Sequence, residues 1–204
     1  MIIQDIKTTS KSDSAHMAYF FFDFRDKEKQ NARALLTSIL VQLSNQYDSF
    51  CDVLLGLYTS YHHGSQQPSD GALTQCLRDI LDVAGQVPIY IIVDALDECP
   101  DTSGMQSSRE KVLDLLEDLV EIHSPNLRLC VTSRPEVDIR NVLEPLTSSS
   151  NRISLHDESG QRKDIVDYIN SVVRSDRKMK KWREEDKKLV IQTLSDKASG
   201  MYEF

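Results

Sequence analysis

Ile89-Tyr90-Ile91-Ile92-Val93-Asp94-Ala95-Leu96-Asp97-Glu98 is the stretch that decides the fold. Its first half is continuous, mostly β-branched and of strand length. Hydrophobicity that is continuous rather than alternating means burial on both faces, as in a parallel sheet covered by helices. The run stops at an aspartate, and two more carboxylates follow within one turn.

Three other segments resemble it. Ala18-Tyr19-Phe20-Phe21-Phe22-Asp23-Phe24 is aromatic and nearly continuous, while Leu127-Arg128-Leu129-Cys130-Val131-Thr132 and Arg152-Ile153-Ser154-Leu155 are shorter. Amphipathic patterns separate them. Ala32, Leu35, Leu36, Ile39, Leu40 and Leu43 follow helical spacing; Cys51, Leu54, Leu55 and Tyr58 either continue that helix or start another. Leu73, Leu77, Ile80, Leu81 and Ala84 mark a further helix, ended by Gly85 with Pro88 beyond it. Ser107 with Glu110 forms a capping box before Val112, Leu115, Leu116 and Leu119. Ile165, Ile169, Val172 and Val173 share one stripe, and a last helix runs over about 184–198.

Strand and helix thus alternate to about residue 174. This predicts a three-layer α/β fold with a mostly parallel sheet flanked by helices. The expected division is an α/β core over 1–174 and the start of a helical segment over 175–204. Right-handed crossovers place the carboxyl ends of the strands on one rim, beyond which such sheets bind ligands.

Bulk properties narrow the partners. The 204 residues carry 40% apolar and 27% charged residues, enough for a core, and a formal net charge of −8. Acidic residues spread along the chain disfavour nucleic acid and anionic lipid. The basic run Arg177-Lys178-Met179-Lys180-Lys181-Trp182-Arg183 reads as a solvated loop or helix end. Cys51, Cys76, Cys99 and Cys130 form no CxxC pair, so they read as small apolar residues in a reducing compartment. His62-His63 lies in a polar, loop-like stretch. With no span-length apolar run and no secretory layout after Met1, the expected location is cytoplasmic.

At the rim, Asp94 ends a buried strand, and Asp97 and Glu98 follow it. Three neighbouring carboxylates repel one another unless a cation or polar ligand compensates. A magnesium ion arriving with a nucleoside triphosphate suits them: one aspartate holds the metal and another acid orients the attacking water. Thr132-Ser133-Arg134-Pro135 ends the next strand. Two hydroxyls and a guanidinium there suit phosphate.

Together these strings resemble the NACHT branch of the signal-transducing P-loop NTPases. The block Tyr19-Phe20-Phe21-Phe22-Asp23-Phe24-Arg25-Asp26, followed by a helix with Gln42-Leu43, is similar to the fungal, nephrocystin-like members. Asp164-Ile165-Val166-Asp167-Tyr168-Ile169 and Lys197-Ala198-Ser199-Gly200-Met201 resemble later family segments. The resemblance covers about 2–201. It implies that Asp94 is the magnesium aspartate, that Asp97 and Glu98 are the acids near the hydrolytic water, and that Thr132, Ser133 and Arg134 contact the nucleotide, with Arg134 as sensor. It also implies Mg²⁺ with ATP or GTP as the family's cofactors. Many members have Gly at the position of Ala95.

The family's phosphate loop ends in Gly-Lys-Ser or Gly-Lys-Thr, yet none of the seven glycines here precedes a lysine. The expectation is a chain that begins within the helix after the loop, near Ile2-Ile3-Gln4-Asp5-Ile6, without the first strand and the loop. The family's lost strand would lie between the one ending at Thr132 and the one around Ile153, so two apolar edges should face a gap or pair directly. Two functional classes follow: a fragment of a nucleotide-driven oligomerisation switch that binds triphosphate weakly, or a non-enzymatic protein-interaction module on the same scaffold. Hydrolysis without the loop is a poor third, because positioning phosphate is most of such catalysis. Self-association or partners bound through flanking domains are the expected interactions.

Overall fold

The computed structural model describes residues 15–101, 107–154 and 159–200; the segment 2–6, Leu155 and Met201 lie outside them. Three strands, β1 (His16–Phe21), β2 (Ile89–Asp94) and β3 (Leu127–Val131), form a parallel sheet in the order β1-β2-β3. The chain is therefore α/β. The register pairs Phe21 with Asp94 and Val93 with Val131, so the three strands end level with one another.

Seven α-helices accompany the sheet among the described residues: α1 (Ala32–Ser44), α2 (Asp48–Ser60), α3 (Asp70–Ala84), α4 (Ser108–Glu121), α5 (Val137–Leu143), α6 (Ser159–Ser175) and α7 (Glu184–Gly200). Their ends follow the local chemistry. Asn31 and Ser69 each accept a backbone N–H at the first turn of α1 and α3. Ser107 and Glu110 make the reciprocal capping box of α4. Gly85 ends α3 at φ +61°, which a side chain would strain.

Alternation along the strands selects one face for the core. Ala18 and Phe20, with Phe22 just beyond the strand, and Ile89, Ile91 and Val93 meet Leu35, Leu36, Ile39 and Leu40 of α1, Leu77 and Ile80 of α3, and Val112 and Leu116 of α4 in one buried cluster. Central β2 is almost wholly buried, whereas every residue of β3 retains some exposure.

The two outer edges of the sheet differ. In parallel pairing, alternate residues direct both main-chain groups to one side. His16 N–H bonds the Pro88 carbonyl and Phe22 N–H bonds the Asp94 carbonyl, so Met17 and Tyr19 face away from β2. Side-chain amides of α1 occupy that edge. Gln46 accepts from Met17 N at 2.9 Å and donates to Met17 O at 2.7 Å. Gln42 does the same at Tyr19, at 3.1 and 2.7 Å. At the other edge, bonds from Ile89 N to Asn126 O and from Thr132 N to Val93 O leave Leu129 and Val131 facing outward. No described residue bonds their main-chain groups. Among the described residues the open edge of the sheet therefore lies on β3.

Three expectations are corrected. Arg152–Ser154 is not a strand: it has no neighbour to complete a ladder among the described residues, and Ile153 is 77% exposed. The aromatic strand starts at His16 and stops at Phe21, before the turn at Asp23. Residues 48–60 form a separate helix that buries Phe50, leaving Cys51, Leu55 and Tyr58 exposed. The chain forms two compact units, Met1–Thr147 and Ser148–Phe204, and α6 packs with α7 within the second. In the second unit the basic run is an exposed 3-10 turn and its flanks. No described helix is long and apolar enough to cross a membrane.

Replacing Gln42 or Gln46 with Ala returns two strand groups to water, so each should cost about 0.5–1.5 kcal/mol in urea unfolding. Amide exchange should accelerate at Tyr19 for Q42A and at Met17 for Q46A; unchanged exchange at both would refute the edge seal.

Candidate functional site at the carboxyl rim

The site is built where β2 and β3 end. Thr132 binds the end of β2 four times. Its N–H donates to Val93 O at 2.9 Å and its C=O accepts from Leu96 N at 3.1 Å. Its hydroxyl accepts from Ala95 N at 3.1 Å and donates to the Asp94 carboxylate. Bringing Leu96 N back to Thr132 O reverses the chain sharply after Asp94. Ala95 takes the left-handed conformation this requires, at φ 55° and ψ 46°. A short 3-10 turn, Leu96–Glu98, then buries Leu96 and presents Asp97 and Glu98.

The three carboxylates do not cluster; each has its own partner. Asp97 accepts from Arg134 N at 3.0 Å and weakly from the Ser133 hydroxyl at 3.4 Å, and pairs with Arg134 Nε at 3.3 Å. Its side chain is only 10% exposed, whereas that of Arg134 is 77% exposed. Glu98 accepts from Phe24 N at 3.1 Å through one oxygen. Asp94 likewise commits one oxygen, to Thr132.

Phe24, Gln30, Asp97, Glu98, Pro100 and Arg134 line a cleft of about 470 Å³. The six sequence-selected residues therefore fall in two groups. Asp97, Glu98 and Arg134 line the cleft, with Ser133 hydrogen-bonded to Asp97. Asp94 and Thr132 are joined to each other and are not among the lining residues. Among the described residues no group of three His, Cys, Asp or Glu side chains is placed to hold a metal ion.

Sequence reasoning missed the supports of this turn. Arg109 of α4, with only 11% of its side chain exposed, donates to the carbonyls of Asp97 at 2.7 Å and Cys99 at 2.8 Å and pairs with Asp138 of α5 at 3.1 Å. It fixes the acidic turn from behind. Gln30 donates to Asp23 O at 3.0 Å, and its carbonyl accepts from the buried Cys99 thiol. Burial pushes that thiol up to about 11, so it stays protonated. Next to Phe24, hydrogen bonds from Arg25 hold the half-buried Asp23 carboxyl down to about 2. No sequence pattern marks Arg109, which sits in a capping box indistinguishable from an exposed one.

Ala95 is the strained position. Left-handed backbone costs an ordinary residue roughly 1–2 kcal/mol, part of which Gly returns as unfolded-state entropy. Ala95→Gly should therefore be neutral or stabilising by up to about 1 kcal/mol, while the β-branched Ala95→Val should destabilise. Thermal melts of the two variants moving in the same direction would contradict the turn geometry.

Comparison with known proteins places this site in a family. No curated protein and no solved structure matches the chain. A family profile does match, over residues 1–134, and its description is nephrocystin 3, N-terminal. That match takes in all three strands, the acidic turn and Thr132-Ser133-Arg134, and the chain belongs to the nephrocystin 3 N-terminal family.

Proposed function

We propose that this chain supplies the acid- and arginine-bearing side of a magnesium–nucleoside triphosphate site of the NACHT P-loop NTPase type, within a nucleotide-driven oligomerisation switch. The observation that carries this reading is the joining of two strand ends by Thr132, which aligns Asp94 with the turn holding Asp97, Glu98 and Arg134. Parallel sheets bind ligands beyond this rim.

The geometry supports distinct roles. Asp94 keeps one carboxylate oxygen for a metal that arrives with the phosphates. Magnesium, when bound, neutralises phosphate charge. Asp97 is a positioning residue that sets the direction of Arg134, whose exposed guanidinium suits a terminal phosphate. Glu98 has a free oxygen in the cleft and is the better placed acid for a water. ATP and GTP serve this scheme equally, since none of these groups reads the base.

A Gly-Lys-Ser/Thr loop is not part of this sequence, and its amides and lysine supply most of a triphosphate cradle. Each charge-assisted bond is worth about 1.5–3 kcal/mol, so several are missing. The internal partners of all three acids also favour a second reading, a protein-interaction module that kept the scaffold without the ligand. Isothermal titration of the chain with Mg-ATP and Mg-GTP should give millimolar or weaker affinity. Micromolar binding would refute this half-site account.

A further inference from the structure

The second unit carries the densest run of positive charge in an acidic chain. Arg177, Lys178, Lys180, Lys181 and Arg183 fall within seven residues, and each of them is exposed. Met179–Lys181 form the 3-10 turn, Trp182 follows it with 42% of its surface exposed, and α7 starts at Glu184. Among the described residues no acid pairs with any of the five cations.

The acids beside the run are engaged with other groups. Asp176 accepts from the backbone N–H of Lys178 at 2.7 Å and of Met179 at 3.1 Å, so its carboxylate caps the turn. Glu184 pairs with Lys187, itself only 11% exposed at the side chain, at 2.9 Å. Glu185 and Asp186 follow, yet residues 174–188 still hold eight Lys and Arg against four Asp and Glu. At physiological ionic strength exposed charges are largely screened beyond about 8 Å. The local excess therefore decides the potential over the turn, although the whole chain carries a net charge of −8.

Charge and the tryptophan together select the partner. A leaflet rich in anionic phospholipid attracts each nearby Lys or Arg, and an amphipathic indole ring settles at the level of the headgroups. Both features occur in one short turn, which suits a planar surface. A single-stranded nucleic acid would stack successive bases on successive rings, and Trp182 is the only aromatic residue between Tyr168 and Tyr202. A duplex groove admits a helix or a two-stranded ribbon, and this 3-10 turn has three residues. We infer that residues 177–183 form a peripheral membrane contact, the five cations meeting anionic headgroups and Trp182 entering between them. Charge supplies most of the attraction, so the attachment is reversible and weakens as salt rises.

Trp182 is the only tryptophan of the chain, so its fluorescence reads the contact directly. The full chain is titrated with vesicles of phosphatidylcholine containing about one third phosphatidylserine. The expected result is co-sedimentation with a blue shift of the Trp182 emission, both reversed by high salt, and neither with phosphatidylcholine alone. One Lys or Arg at a membrane surface contributes a factor of about five in affinity. The double variant Lys180→Gln/Lys181→Gln should therefore bind about 25-fold more weakly, with an unchanged thermal melt because both side chains are exposed. An unshifted Trp182 in the native chain, or equal binding to the two kinds of vesicle, would overturn the proposal. So would vesicle binding indifferent to the double variant, or binding of poly(U) RNA by a chain that ignores the anionic vesicles.

Discussion

The four hydrogen bonds between Thr132 and residues 93–96 are the constraint on which the rest of the rim depends. Parallel strands have no hairpin to fix where they end, so the ends must be matched by main-chain and side-chain bonds. Thr132 does this with its N–H, its carbonyl and both capacities of its hydroxyl. The chain can then turn only through a left-handed residue at Ala95, and the turn delivers Asp97 to the backbone of Arg134. Loss of the hydroxyl alone would free Ala95 N–H and Asp94 together, loosening the turn and the acid in one step.

A second layer of bonds keeps the turn in place. Arg109 ties the carbonyls of Asp97 and Cys99 to α4 and, through Asp138, to α5. Buried guanidinium groups are strongly destabilising when left without partners, so this arrangement is held from both sides. The cleft in front is open, with the exposed Arg134 guanidinium paired to the nearly buried Asp97 carboxylate.

Much of this was legible in the sequence. Apolar runs ending in Asp94 and Thr132 identified two of the strands and the rim, although only central β2 is almost wholly buried while β3 keeps some exposure along its length. Capping signals at Ser107 and Gly85 placed helix ends directly. Where the reading failed, long-range context decided. Arg-Ile-Ser-Leu has strand composition, but a strand needs a neighbour, which composition cannot report. In α2 two apolar stripes compete, and only the packing of Phe50 chooses between them. Gln42, Gln46 and Arg109 look like ordinary surface residues until the backbone groups they bond are brought beside them.

Membership of the nephrocystin 3 N-terminal family gives the scaffold, and the rim gives the chemistry that the nucleotide reading uses. Manganese can replace magnesium and broadens the NMR signals of nearby amides, so Mn-ATP at millimolar nucleotide locates the metal directly. The account predicts selective broadening at Asp94–Glu98 and Thr132–Arg134, abolished by Asp94→Asn. Broadening centred elsewhere, or none at these amides, would contradict it.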